Sequence, residues 1–271
     1  MEKFVDVRRL IADKNPKHLK WLPGFVIRWI EKVIHQDELN DFMQRHHQDD
    51  THDFCTALVK EFNLKLELEG MDNIPSPPER VIFVANHPLG GLDAITIIHL
   101  LRSIRPDVKF IVNDLLMAVN NLKSRFIGVN KVGRSAVESL QRVEEQFASG
   151  PATFIFPAGL VSRKIKGEIM DLEWKKTFVS KAKKYHLRVI PVHIEGRLTP
   201  RFYRLANLRK FLGLKFNIEM FFLVDELFKQ KHRTIRIAIG APINPTTFTK
   251  DKSDKEWAEW TKNKVYQLAK E

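Results

Sequence analysis

Val81-Ile82-Phe83-Val84-Ala85-Asn86-His87-Pro88-Leu89-Gly90-Gly91-Leu92-Asp93 places several structural signals in one short segment. Val81–Ala85 is an unbroken apolar run, the pattern of a strand buried on both faces. His87 follows near its carboxyl end, the edge where open α/β sheets bind ligands. Gly90-Gly91 turns the chain, and Leu92–Ile104 is an apolar helix that stops before Pro106. A buried strand followed by a turn and an apolar helix predicts a sheet covered by helices.

The flanking sequence repeats this alternation. Leu64, Leu66 and Leu68 alternate with Lys65, Glu67 and Glu69, as in a half-buried strand ended by Gly70. Val108–Val112, Thr153–Phe156 and Val189–Ile194 are short apolar runs, and Ile235, Ile237 and Ile239 alternate in a late strand. Between them, Ser135 and Glu138 form a capping-box pattern opening a helix that ends at Gly150-Pro151. Further helices are predicted near Glu173–Tyr185 and over Asp254–Lys270. Upstream, Trp21–Ile34 has apolar residues at helical spacing, and a second helical stretch runs from about Glu38 to Glu61. The fold class expected is α/β: a mostly parallel central sheet flanked by helices, with an N-terminal helical extension. Residues 1–61 form the helical segment and 62–271 the α/β domain.

Composition narrows the partners. The 271 residues include 45 Lys plus Arg against 33 Asp plus Glu, a net charge of +12. Such a field favours nucleic acid, an acidic protein or an anionic membrane. No zinc-finger spacing or aromatic RNA-binding signature accompanies it, so nucleic acid is not expected as a partner. No apolar run approaches the roughly 18 residues needed to span a bilayer. The amino terminus lacks the apolar core of a secretory signal. The lone cysteine, Cys55, reads as a small buried side chain and agrees with a reducing compartment. Trp21–Ile34 and the segment Arg201–Leu212 mix apolar and cationic residues as interfacial helices do, although surface helices packed on a sheet look alike. The location expected is cytoplasmic, peripheral on the inner face of the cell membrane.

His87 and Asp93 carry the chemistry. A carboxylate on one ring nitrogen fixes the imidazole tautomer and frees the other nitrogen as a base. With no serine or cysteine nucleophile motif alongside, that base would act on a substrate hydroxyl or on water. The plain alternatives are a strand end at His87 and a helix cap at Asp93. His46-His47-Gln48-Asp49-Asp50-Thr51-His52-Asp53 matches no established ligand spacing, and no metal is assigned.

Four blocks in order resemble the glycerophospholipid (lysophosphatidic acid) acyltransferase superfamily. Asn86-His87 with Asp93 is similar to its first block, and Phe126-Ile127-Gly128-Val129-Asn130-Lys131-Val132-Gly133-Arg134 to its second. Phe156-Pro157-Ala158-Gly159-Leu160-Val161-Ser162-Arg163-Lys164 is similar to the third, and Val189-Ile190-Pro191-Val192-His193-Ile194-Glu195-Gly196 to the fourth. The resemblance implies that His87 is the general base and that Asp93 orients it. It implies substrate-binding positions at Asn86, Gly90 and Gly91, at Lys131 and Arg134, and at Pro157, Gly159, Ser162, Arg163 and Lys164. It also implies an acyl thioester co-substrate on acyl carrier protein or coenzyme A, a lyso-lipid acceptor, and no cofactor.

The chain departs from that pattern at defined points. The family spacing is His-x4-Asp, and here one more residue intervenes, which Gly90-Gly91 can absorb. Ala158 stands where the family has a glutamate, and Arg163 is displaced by one position. The whole pattern most resembles a bacterial amino-lipid, haemolysin-like subgroup. The expected acceptor is therefore a lyso-amino-lipid, with lysophosphatidic acid as the other choice. A thioester or ester hydrolase using the same His-Asp pair on water is the alternative activity.

Overall fold

β2 (Val81–Ala85) is buried at every residue and lies at the centre of a seven-stranded sheet. The computed structural model describes residues 4–14, 22–113, 117, 119–129, 134–214 and 217–270. Among them the sheet runs β1 (Lys65–Glu69), β9 (Thr234–Ile239), β8 (Arg188–Ile194), β2, β5 (Thr153–Ile155), β3 (Lys109–Asn113) and β4 (Phe126–Val129). Every pairing is parallel except that of β8 with β9, so the sheet is mostly parallel as expected. A separate antiparallel hairpin is formed by β6 (Arg163–Ile165) and β7 (Glu168–Met170).

The two faces of β2 explain its uniform apolarity. Val81, Phe83 and Ala85 join one apolar cluster, which includes Phe54, Leu58, Leu92 and Ile97. Ile82 and Val84 join the opposite one, with Val143, Phe147, Phe178 and Trp257. Pro191 sits inside β8, where a missing N–H normally breaks a ladder. Its carbonyl accepts Gly240 N–H at 2.8 Å, just past the end of β9, so the absent donor falls beyond the last rung.

Helices cover both faces. α1 (Val7–Lys14), α2 (Gly24–Val33), α3 (Gln36–His46) and α4 (Thr51–Glu61) precede the sheet. α5 (Gly91–Leu101) follows β2 and packs against α4, whose Phe54, Cys55, Leu58 and Val59 are buried. The expected Glu38–Glu61 helix is therefore two helices. Asp50 accepts Asp53 N–H at 2.9 Å and caps α4, while the Asn121 amide donates to the carbonyls of His46, His47 and Asp49 at the end of α3. Cys55 is fully buried, and burial pushes its thiol up to about 12.

α6 (Arg134–Ser149) opens one residue before Ser135, and its first side chains lie outside the described residues. α7 (Thr177–Tyr185) begins four residues later than the expected Glu173. α8 (Pro200–Phe211), α9 (Leu223–Phe228) and α10 (Asp254–Gln267) complete the set. No described helix is long and apolar enough to cross a membrane.

Candidate active site

Asn86 seals the end of β2 against β8 through both ends of its amide. Its Nδ2 donates to Ile194 O at 2.9 Å, and Ile194 N–H donates to its Oδ1 at 2.7 Å. The next residue, His87, is thereby delivered at the carboxyl edge of the sheet. Gly90, with φ of 69°, then turns the chain back in a conformation that favours glycine. α5 starts immediately after, and Asp93 in its first turn is fully buried.

His87 Nδ1 lies 2.8 Å from Asp93 Oδ2, which also accepts Leu89 N–H at 3.0 Å. With Nδ1 donating to the carboxylate, the neutral ring offers Nε2 as an acceptor, and Nε2 has no partner among the described residues. The imidazole stacks on Phe156 with centroids 4.2 Å apart. Burial pushes the Asp93 carboxyl above its ordinary value, against the opposing pull of His87. Its Oδ1 is buried with no hydrogen-bond partner among the described residues. A single imidazole contact thus carries most of the compensation for a buried charge.

The main chain of His87 is held separately. Its carbonyl accepts Ser162 N–H at 2.8 Å, and its N–H donates to Asp171 Oδ1 at 3.2 Å. Asp171 Oδ1 also accepts the Ser162 hydroxyl at 2.6 Å, and Oδ2 accepts the Trp174 indole N–H at 2.8 Å. Asp171 N–H donates to the Tyr266 hydroxyl at 2.7 Å. Burial pushes this carboxyl up as well, opposed by its three donors.

The substrate-binding positions fall into distinct places. Ser162 is buried and bonded to Asp171. Arg163 is turned into the protein: it donates to Glu219 at 2.9 Å and to Val161 O, and its guanidinium lies over the Phe202 ring. Glu219 is fully buried, and its Oε2 lies 3.0 Å from Arg209 Nε, in ion-pair contact but poorly aligned for a hydrogen bond. Lys164 is exposed. Pro157 is buried, and exposed Gly159 has φ of 66°. Ala158 is absorbed into an apolar cluster with Trp174 and Phe178, so no carboxylate is presented there. Lys131 lies outside the described residues, as does the side chain of Arg134.

Residues 9–271 match a family model described as an acyltransferase. The chain belongs to this acyltransferase family. The chain is 41% identical over 266 residues to a lyso-glycine lipid O-acyltransferase of Phocaeicola vulgatus, covering 98% of this chain and 95% of that one. A lyso-glycine lipid O-acyltransferase of Bacteroides thetaiotaomicron is 42% identical, with 98% and 97% covered. The crystal structure of the 1-acyl-sn-glycerophosphate acyltransferase PlsC from Thermotoga maritima aligns over 90% of this chain and 92% of its own, at 19% identity and a TM-score of 0.48.

Two cavities lie near the elements that carry His87. One, of about 240 Å³, is lined by Phe156, Pro157 and Gly159 with Ile111, Val143 and Phe147. It shares Phe156 with the imidazole stack. The other, of about 850 Å³, lies over α8 and is lined in part by Lys164 and Tyr203. Sequence reading had no access to Asp171 or Trp174, because no spacing rule links them to His87. Phe156 opens the third resembling block, but its stacking on the imidazole depends on neighbouring strands.

Proposed function

We propose that this acyltransferase moves a fatty acyl chain from a pantetheine thioester to the hydroxyl of a lyso-amino-lipid. The observation supporting this reading is His87 Nε2, which has no partner among the described residues, is oriented through Nδ1 by buried Asp93 and sits beside the apolar cavity at Phe156. Nε2 accepts the proton of the acceptor hydroxyl as the oxygen attacks the thioester carbonyl carbon. The carbon–sulfur bond breaks as the carbonyl re-forms. The thiolate then takes the proton from the imidazolium, giving an ester and a free thiol. Asp93 stabilises the transient imidazolium.

The apolar cavity suits the acyl chain, where each buried methylene contributes ~0.8 kcal/mol. The acceptor class is supported by the two relatives of matching length, both named for a lyso-glycine lipid. Ala158 fits the same choice, since it offers no carboxylate to a glycerol-phosphate head group. Exposed Phe25 and Trp29 on α2, and Phe211 and Leu212 at the end of α8, support docking on an anionic membrane face.

Initial rates on lyso-glycine lipid and lysophosphatidic acid at equal concentration test the proposal, with a no-acceptor arm for thioester hydrolysis. Faster acylation of the glycine lipid is expected. Preference for lysophosphatidic acid would make Ala158 a tolerated variation, and equal thioester loss without acceptor would make the protein a hydrolase.

A further inference from the structure

The larger cavity, of about 850 Å³, is lined by Lys164, Arg197, Arg204, Lys229 and Arg233, with no acidic residue among its described lining. Lys229 is paired with Asp225 and Glu226. Lys164, Arg197, Arg204 and Arg233 have no carboxylate within 4.0 Å among the described residues. Half-buried Arg188 and Arg236, by contrast, are paired, with Glu79 and Glu69. Converging cations without counter-ions repel one another, which a polyanionic ligand would relieve. Three of the four are arginines, whose planar fork suits phosphate oxygens.

The groove is tied to the base from two sides. The β6–β7 hairpin stands on His87 through both feet, Ser162 and Asp171. Its cross-strand pair Lys164 and Ile169 lines the groove. Lys164 is two residues from Ser162, or about 7 Å of strand. On the other side, Ile194 is locked to Asn86, and the chain leaving Ile194 runs through Arg197 into α8.

Strand order then separates two compartments. β8 and β9 lie to one side of β2, on the groove side, and β5 and β3 to the other, by the apolar cavity. His87 stands between them.

We infer that the groove holds the phosphate of the pantetheine thioester that donates the acyl chain, an assignment that rests on the acyl transfer proposed above. The acyl chain then lies toward β5 and β3, the thioester carbonyl at His87, and the pantetheine arm runs over the hairpin toward Arg197 and Arg233. A flat membrane surface does not fill a concave site. The phosphate reaches the groove either on coenzyme A or on a carrier protein's prosthetic arm.

Equilibrium binding to the full chain, without acceptor or turnover, tests this with coenzyme A, carrier protein bearing the arm, and carrier protein lacking it. At least one arm-bearing probe should bind, and the arm-less carrier should bind more weakly. Arg197→Glu with Arg233→Glu, both exposed, should weaken that binding about tenfold or more. The same pair should raise the donor KM in parallel and leave the acceptor KM unchanged. Which probe binds identifies the source of the phosphate. The inference is overturned if neither arm-bearing probe binds, if the double variant binds as the parent does, if the arm-less carrier binds equally well, or if the acceptor KM rises instead. A chain that binds the probe through these arginines yet acylates no lyso-lipid would keep the groove and refute the proposed transfer.

Discussion

The carboxylate of Asp171 accepts the backbone N–H of His87 at 3.2 Å, across a sequence separation of 84 residues. The same carboxylate gathers Ser162 and Trp174, so the end of β2 and the foot of the β6–β7 hairpin share one buried acceptor. Asp171→Ala leaves three donors without it. Unfolding free energy should drop by at least about 2 kcal/mol, since each stranded donor costs roughly 1–3 kcal/mol. Asp171→Asn retains one acceptor oxygen and should lose less. Denaturant unfolding ranks the variants, and a fall in kcat of the folded fraction exceeding any rise in KM marks a positioning role.

Asp93 sets an opposition between stability and turnover. Burial raises its carboxyl above the ordinary 3.8. A carboxyl raised in the folded state contributes stability that is fully present below its unfolded value and is lost as pH rises through the folded value. The stability of the parent minus that of Asp93→Asn should therefore be largest in acid and shrink as pH rises from 3.8 through the raised value. Turnover should move the other way, with Asp93→Asn impaired at every pH. Unfolding curves across the pH series check the sign, and a parent that gains on the variant as pH rises contradicts it.

Arg163 is expected to act on the fold. Its guanidinium is committed to fully buried Glu219, and Arg163→Ala leaves that carboxylate with Arg209 alone. Removing one partner of a buried pair costs about 3–5 kcal/mol. Thermal unfolding should fall markedly, while the acceptor KM of the surviving folded protein stays near that of the parent. A stable variant with a raised acceptor KM would instead place Arg163 at the head group.

These contrasts mark what the residues alone disclose. Val81–Ala85 reads as a doubly covered strand because both faces require apolar residues, and Phe83 and Val84 do point to opposite clusters. His87 and Asp93 were legible because they are close in sequence and joined by a glycine turn. Ser253 and Glu256 form a capping box at the start of α10, a local signal beside the expected helix over Asp254–Lys270 that the sequence reading does not include. Arg163 and Glu219, or His87 and Asp171, meet only through tertiary packing. Their side-chain types do not reveal whether a cation faces substrate or a buried carboxylate. The break at His47–Asp50 rests on the local Asp50 cap together with Asn121, distant in sequence, while the apolar periodicity carries straight through it.

Docking has a separable test. Arg201 lies over the Phe222 ring, Arg209 contacts Glu219, and Arg204 lines the groove, so these arginines of α8 do not form one surface. Phe211 is 85% exposed and Leu212 57% exposed. Phe211→Glu with Leu212→Glu should reduce sedimentation with anionic vesicles while leaving thermal unfolding unchanged. Unaltered sedimentation would exclude the end of α8 as the docking site.

The proposed transfer turns on Nε2 of His87 taking the proton from the acceptor hydroxyl. Its most direct test is the rate of ester formation by purified His87→Ala at saturating thioester and lyso-lipid, with folding verified by the unfolding transition. Loss of the base should lower kcat by roughly 10²–10⁴-fold, with both substrates still bound. A folded His87→Ala protein that forms ester at a rate near the parent's would contradict the account.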